Sequence, residues 1–166
     1  MFRRQFSALV VASALAVAAI AGCAPPSAPD FVAQAAMNNL YLIESGEVAA
    51  AKGQSEAVKQ FGQYIAEQHR KFNEELKSIL QAEKVDVEMP DALDEAGQGR
   101  IKALNEAKSE EFDALYAQQQ VNALKRAVSL FDAYAESGTN EALKQFAANV
   151  LPALKRNRDR AKKLTR

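Results

Sequence analysis

The sequence predicts an all-α protein: one domain built as a four-helix bundle from two repeated helical hairpins joined by one long crossover. Three observations carry that expectation. Trp is absent and Gly and Pro number only 7 and 5 in 166 residues, while Ala, Leu, Gln, Glu and Lys, which lose little side-chain entropy in a helix, dominate. Apolar residues recur at helical spacing through four long stretches. A nine-residue stretch and the apolar seam that follows it occur twice, 85 residues apart. The length fits a single domain.

The first residues read differently from the rest. Met1 to Gln5 carries Arg3 and Arg4 and no acid, and Phe6 to Ile20 is an apolar run of 15 residues, short of the ~20 that span a bilayer as a helix. An uncleaved anchor or an ordinary secretory signal would show the same charge and length. The ending Ile20-Ala21-Gly22-Cys23 resembles the lipobox of a bacterial lipoprotein signal, and Cys23 is the only cysteine. That resemblance implies removal of 1–22, acylation of Cys23, and anchoring by several acyl chains where one would be marginal. Ala24 follows where an aspartate marks inner-membrane retention, so the implied address is the periplasmic face of the bacterial outer membrane. Residues 23–30, with Pro25, Pro26 and Pro29, read as the lipidated cysteine and a short extended tether. The domain proper is 31–166.

Asp30 is the expected N-cap of a first helix over about 31–52, with Gly53 at its end. A second helix starts at Gln54 or Ser55 and runs to about Lys84. Its seam is the clearest in the chain: Val58, Phe61, Ile65, His69, Phe72, Leu76 and Ile79 follow at steps of 3, 4, 4, 3, 4 and 3, as in a coiled-coil-like packing face. Val85 to Gly99, with Pro90, Gly97 and Gly99, breaks the pattern, and a short helix over about Asp94–Asn105 bridges the break. A third long helix runs from about Glu110 to Glu136, with Val121, Leu124, Val128 and Phe131 on one face, widened by Phe112, Tyr116, Ala123 and Leu130. Within it Gln119 is expected to turn inward from Gln118-Gln119-Gln120. Gly138 closes that helix, and a fourth occupies about Asn140–Leu164. Pro152 lies inside the fourth and predicts a bend about a turn earlier, near Ala148.

The repeat sets the topology. Gly53 to Phe61 reappears as Gly138 to Phe146, and the seam reappears as Leu143, Phe146, Val150, Leu154, Asn157, Ala161 and Leu164 in the same register. Two hairpins, each closed at a glycine, are then joined by a connection long enough to cross the bundle, as in ferritin-like folds. An up-down-up-down bundle is the alternative that the connection leaves open.

Charge and motifs exclude more than they assign. Without Arg3 and Arg4, 19 basic residues face 21 acidic ones, a balance that excludes a globally basic nucleic-acid binder. No Ser/His/Asp or Cys/His arrangement, phosphate-binding glycine loop or zinc spacing is present, and the single cysteine is committed to the lipidation site. Ferritin-like di-metal centres use Glu-x-x-His on two helices; here Glu67-Gln68-His69 is one residue too short and the fourth helix has no histidine. Glu44, Glu47, His69 and Asp132 remain as weak candidates for a single cation. His69, the only histidine, sits on the seam where its repeat partner is Leu154, which points first to a buried, hydrogen-bonded ring. Asn157, the other polar seam residue, suits a register-fixing role. Lys155, Arg156, Arg158, Arg160, Lys162, Lys163 and Arg166 place seven cations against Asp159 at the C-terminal end. That is more positive charge than the helix dipole needs, and it makes a candidate patch for an anionic surface.

The run from Phe31 through Glu47-Val48-Ala49-Ala50-Ala51-Lys52, then Glu56 to Lys59, Glu67-Gln68-His69, Phe112-Asp113 with Tyr116, and Leu151-Pro152 resembles the bacterial family called domain of unknown function 4142. The resemblance covers residues 31–164. It implies an exported, ferritin-like bundle, often labelled an outer-membrane protein, with no established activity. It also implies a histidine on each of helices two, three and four, where this chain has His69, Leu124 and Asn157. The expectation is therefore an envelope lipoprotein with a structural or interaction role in stress response or cell-wall association. It is expected to have no complete catalytic site, no cofactor and no nucleic-acid partner, with the membrane, an envelope protein or a cell-wall polymer as its contact. A metal-binding or oxidative ferritin-like protein using Glu44, Glu47, His69 and Asp132 is the alternative.

Overall fold

The structure is a computed structural model that describes residues 26–164. The expected signal segment 1–22, the lipidation candidate Cys23 and the terminal Arg166 lie outside the described residues. The described chain forms five helices and no strand: α1 Ala28–Lys52, α2 Glu56–Glu83, α3 Glu95–Glu106, α4 Ser109–Ser137 and α5 Glu141–Ala161. None of them is long and apolar enough to cross a membrane.

Helix starts follow side-chain capping. Ser55, Asp94 and Asn140 each accept a hydrogen bond from the N–H three residues on, at 3.3, 2.6 and 2.9 Å, as N-caps do. α1 departs from expectation. Its cap is Ser27, which accepts from the Asp30 N–H at 3.3 Å, and Asp30 lies in the first turn. Pro29 is tolerated there because first-turn N–H groups have no partner inside the helix. Residues 28–30, expected in the tether, are helical. Gly53 and Gly138 end α1 and α4 with φ of −52° and −60°, so neither is needed for a left-handed conformation. They are needed for space: an added Cβ would come within 2.7 Å of the Ala49 carbonyl and 2.6 Å of Tyr134. The left-handed residue among those described is Lys84, with φ 52°, which ends α2.

The helices pack as two hairpins, α1 on α2 and α4 on α5, with α1 also against α4 and α2 against α5. Phe31 in the first turn of α1 stacks on Tyr134 near the end of α4, with ring centroids 4.0 Å apart. The two N–H groups at the α1–α2 turn, Gln54 and Ser55, donate to the Asp113 carboxylate near the start of α4, both at 2.8 Å. Thus α1 and α4 run antiparallel, and the order is up, down, down, up. The connection Lys84–Lys108 traverses the length of the bundle and carries α3, which packs on α1 and α4. Lys52 Nζ donates to the Asn105 carbonyl at 2.9 Å, fastening the end of α3 to the end of α1. The long-crossover topology expected from the repeat is the one observed.

The repeat is also structural. The Glu47–Arg70 and Asp132–Lys155 ion pairs each span 23 residues and are related by the same shift of 85. So are the Ser55 and Asn140 caps and the Gly53 and Gly138 turn bonds. Val58, Phe61, Ile65, His69 and Leu76 on α2 and Leu143, Phe146, Val150, Leu154, Asn157 and Ala161 on α5 are buried. On α4, Phe112, Tyr116, Ala123, Leu124 and Phe131 are buried with them. α5 continues through Pro152, whose ring is exposed.

Candidate functional site

Three regions carry candidate functional side chains: the interior around His69, the basic end of α5, and a pocket where α1, α3 and α4 meet. His69 is fully buried. Its Nδ1 lies 2.8 Å from Asn39 Oδ1, and Asn39 Nδ2 donates to Asn73 Oδ1 at 3.3 Å. Since Asn39 uses its amide nitrogen toward Asn73, its oxygen accepts, and the proton of the neutral imidazole sits on Nδ1. Nε2 is then a buried lone pair with no partner, and the ring meets Phe72 edge-on, centroids 5.2 Å apart. Burial pushes the His69 pKa down to about 3, because no nearby carboxylate compensates the charged form.

The other metal candidates do not join it. Glu47 is exposed and paired with Arg70, Asp132 is exposed and paired with Lys155 at 3.0 Å, and the two belong to different hairpins. Glu44 is half-buried, and burial, with the Glu47 charge adding, raises its carboxyl above the ordinary range. No group of three or more metal-ligating side chains occurs among the described residues.

The interior holds further polar contacts that helical spacing does not reveal. Gln120 is the glutamine turned fully inward, donating to Ser45 Oγ at 2.8 Å, and Ser45 in turn donates to the Tyr41 carbonyl at 2.6 Å. Gln119, expected to be the inward one, is half-buried and accepts from the Tyr41 hydroxyl at 2.6 Å. The period of 3.6 places neighbouring positions 100° apart, and the α4 face toward α1 is centred one residue further along. Asn157 is fully buried and donates to Gln68 Oε1, a bond between the two hairpins. Leu124 is fully buried as well, so the three positions where the family resemblance implies histidines all face the interior.

The α5 end stands beside the first turns of α2. The Arg160 guanidinium lies 4.3 Å from the Tyr64 ring centroid and 5.5 Å from that of Phe61, a cation–π arrangement. Asp159 accepts from Arg158 at 3.0 Å and Lys162 at 3.2 Å, and those two bonds hold its carboxyl below the usual range. Arg156 and Lys163 are exposed and make no ion pair among the described residues. The six described basic residues of the patch thus share one helix end, with Lys155 facing Asp132 and two cations sharing Asp159.

At the junction of α1, α3 and α4 a pocket of about 420 Å³ is lined by Tyr41, Asp94, Arg100 and Arg126 among others. Arg100 lies over the Tyr41 ring, 4.6 Å from its centroid. Burial raises the Tyr41 hydroxyl to about 12 against the opposing charge of Arg100, so it stays protonated. Arg100 comes from the short helix expected over about Asp94–Asn105 and Arg126 from the third long helix, 26 residues later. No spacing links them; only the fold does.

A family model described as domain of unknown function (DUF4142) matches residues 12–164. No curated protein and no solved structure matches the chain.

Proposed function

The chain belongs to the DUF4142 family, and we propose that this member is an envelope lipoprotein with a structural role, held at one end by lipid and presenting cations at the other. The lipobox-like ending at Cys23 supplies the anchor, at the periplasmic face of the outer membrane, and an anionic cell-wall polymer is the partner of the α5 end. One observation carries the reading: the two ends are opposite. The start of α1 packs beside the end of α4, whereas Arg160 stacks on Phe61 and Tyr64 near the start of α2. The 25 residues of α1 separate these ends by about 37 Å at ~1.5 Å per residue.

Charge follows the same axis. Among the described residues, Asp30, Glu83, Glu136 and Glu141 lie at the helix ends nearest the tether, with Asp86 and Glu88 just beyond α2 and Lys84 and Lys144 beside them. An acidic base is repelled by anionic lipid headgroups and favours an upright bundle. Each cation at an anionic surface adds on the order of 1 kcal/mol, so contact through the α5 end is weak per charge, additive and reversed by salt.

The test is co-sedimentation of the purified full chain with insoluble peptidoglycan. Retention is expected at low salt, to fall steeply as salt rises, and to be lost in the double variant Arg156→Glu, Lys163→Glu while Glu136→Lys leaves it unchanged. Retention indifferent to salt and to both variants would sink the cationic-end reading. Cys23→Ser, expected to move the protein from the membrane to the soluble fraction, tests the anchor separately.

A further inference from the structure

The pocket between α1, α3 and α4 brings two guanidinium groups together without giving either a carboxylate partner. Neither Arg100 nor Arg126 forms an ion pair among the described residues, although Asp94 lines the same pocket. Asp94 caps α3, its Oδ1 accepting from the Gly97 N–H at 2.6 Å, and offsets one of the two positive charges. The Arg100 Nε is buried and has no hydrogen-bond partner, and an unmade bond at a buried charged donor is costly. The Arg100 guanidinium lies over the Tyr41 ring, 4.6 Å from its centroid, a cation–π contact that holds the charge at the pocket wall. The Tyr41 hydroxyl donates to Gln119 and its oxygen faces the Arg100 charge.

The rest of the wall is apolar, from Ala33, Met37, Ala127 and Leu130, with Gln34 and Asn38 as neutral polar groups. Two positive charges less one carboxylate leave a net of about one positive charge facing a partly apolar cavity. The volume falls within the usual range for small-ligand sites. We infer that this pocket binds a small amphiphilic carboxylate, its anionic head held by the Arg100 and Arg126 forks and its hydrocarbon body against Met37 and Leu130. A carboxylate suits the planar donor edge because it accepts two parallel N–H bonds from one guanidinium. This site lies away from the α5 end and does not depend on the cationic-end reading.

Calorimetric titration of the full chain held in lipid nanodiscs, with empty nanodiscs as the baseline, tests the assignment with hexanoate as probe. Saturable binding is expected. Hexanamide, which has the same body without the charge, should bind at least about tenfold more weakly, and so should hexanoate to Arg126→Gln, each tenfold step being the loss of one charge-assisted contact. Arg126 is exposed, so its variant should melt at the wild-type temperature; Arg100→Lys, which keeps the charge but not the fork, should also weaken hexanoate. The inference is overturned if hexanoate gives no saturable signal, if hexanamide or the Arg126→Gln variant matches the wild-type hexanoate affinity, or if inorganic phosphate binds more tightly than hexanoate.

Discussion

A neutral imidazole is part of the core of this protein, and its protonation is coupled to folding. The His69 pKa in the folded state, about 3, lies below its ordinary 6.5, so the unfolded chain takes up the proton more readily. The stability from the neutral ring is complete above pH 6.5 and is lost as pH falls from 6.5 toward 3, at about 1.4 kcal/mol per pH unit. His69→Leu should remove that slope. At pH 7 it should also cost about 1–3 kcal/mol, because Asn39 Oδ1 loses its buried donor. Adding Asn39→Leu should recover that loss, since the shift of 85 maps this pair onto Leu154 and Leu124, both buried in the second hairpin. Urea midpoints of both variants and wild type between pH 7 and 4 give the answer, and parallel curves would mean that the ring is not buried neutral. The burial of His69 is legible in the seam of α2. Its partner is not, because Asn39 lies 30 residues away on another helix and no periodicity connects them.

At the scale of the element, close approach rather than apolar spacing sets the first hairpin. A Cβ added at Gly46 would sit 2.6 Å from the Gly62 carbonyl oxygen, and one at Gly62 would sit 2.6 Å from that of Gly46. The two backbones therefore touch, and only hydrogen fits between them. Gly46→Ala should push the helices apart and cost about 1–3 kcal/mol, as overpacking does. Gly99→Ala should do the opposite: nothing lies within 4 Å of that site in α3, so the helix gains about 0.5–1 kcal/mol of propensity. Thermal melts of the two variants, shifting in opposite directions, check both. An isolated glycine in a helical pattern carries no mark of which case applies. The same limit explains α1, where Pro29 reads as tether in sequence but occupies a first turn once Ser27 caps it. Helix number, seams and hairpin repeat are legible because each depends on a period within one chain segment.

For the whole molecule, Asp113 joins what the connection separates. Its carboxylate takes two N–H groups from the α1–α2 turn. Burial acts to raise its pKa, but those bonds from Gln54 and Ser55, with the Lys59 charge, outweigh it and hold the carboxyl below its ordinary range. Its contribution is therefore present above the ordinary carboxylate pKa and is lost as pH falls through the lowered one. Asp113→Ala should lower the unfolding free energy by about 0.5–1.5 kcal/mol, by removing the acceptor of two exposed N–H groups, which water only partly replaces, while keeping a single transition because the core spans both hairpins. Two separated transitions in denaturant would show instead that the halves fold independently.

The shift that relates the halves also exchanges α1 with α4 and α2 with α5, and each of those contacts maps onto itself. A contact that is its own partner under exchange is the mark of an isologous interface, so the junction between the hairpins has the symmetry of a homodimer enclosed in one polypeptide. The 25 residues from Lys84 to Lys108 turn an association between molecules into a closure within one, at an effective concentration of the millimolar order. The hairpins consequently stay paired at any dilution. Each half is also free to diverge on its own side of the axis, with His69 and Asn39 on one side and Leu154 and Leu124 on the other.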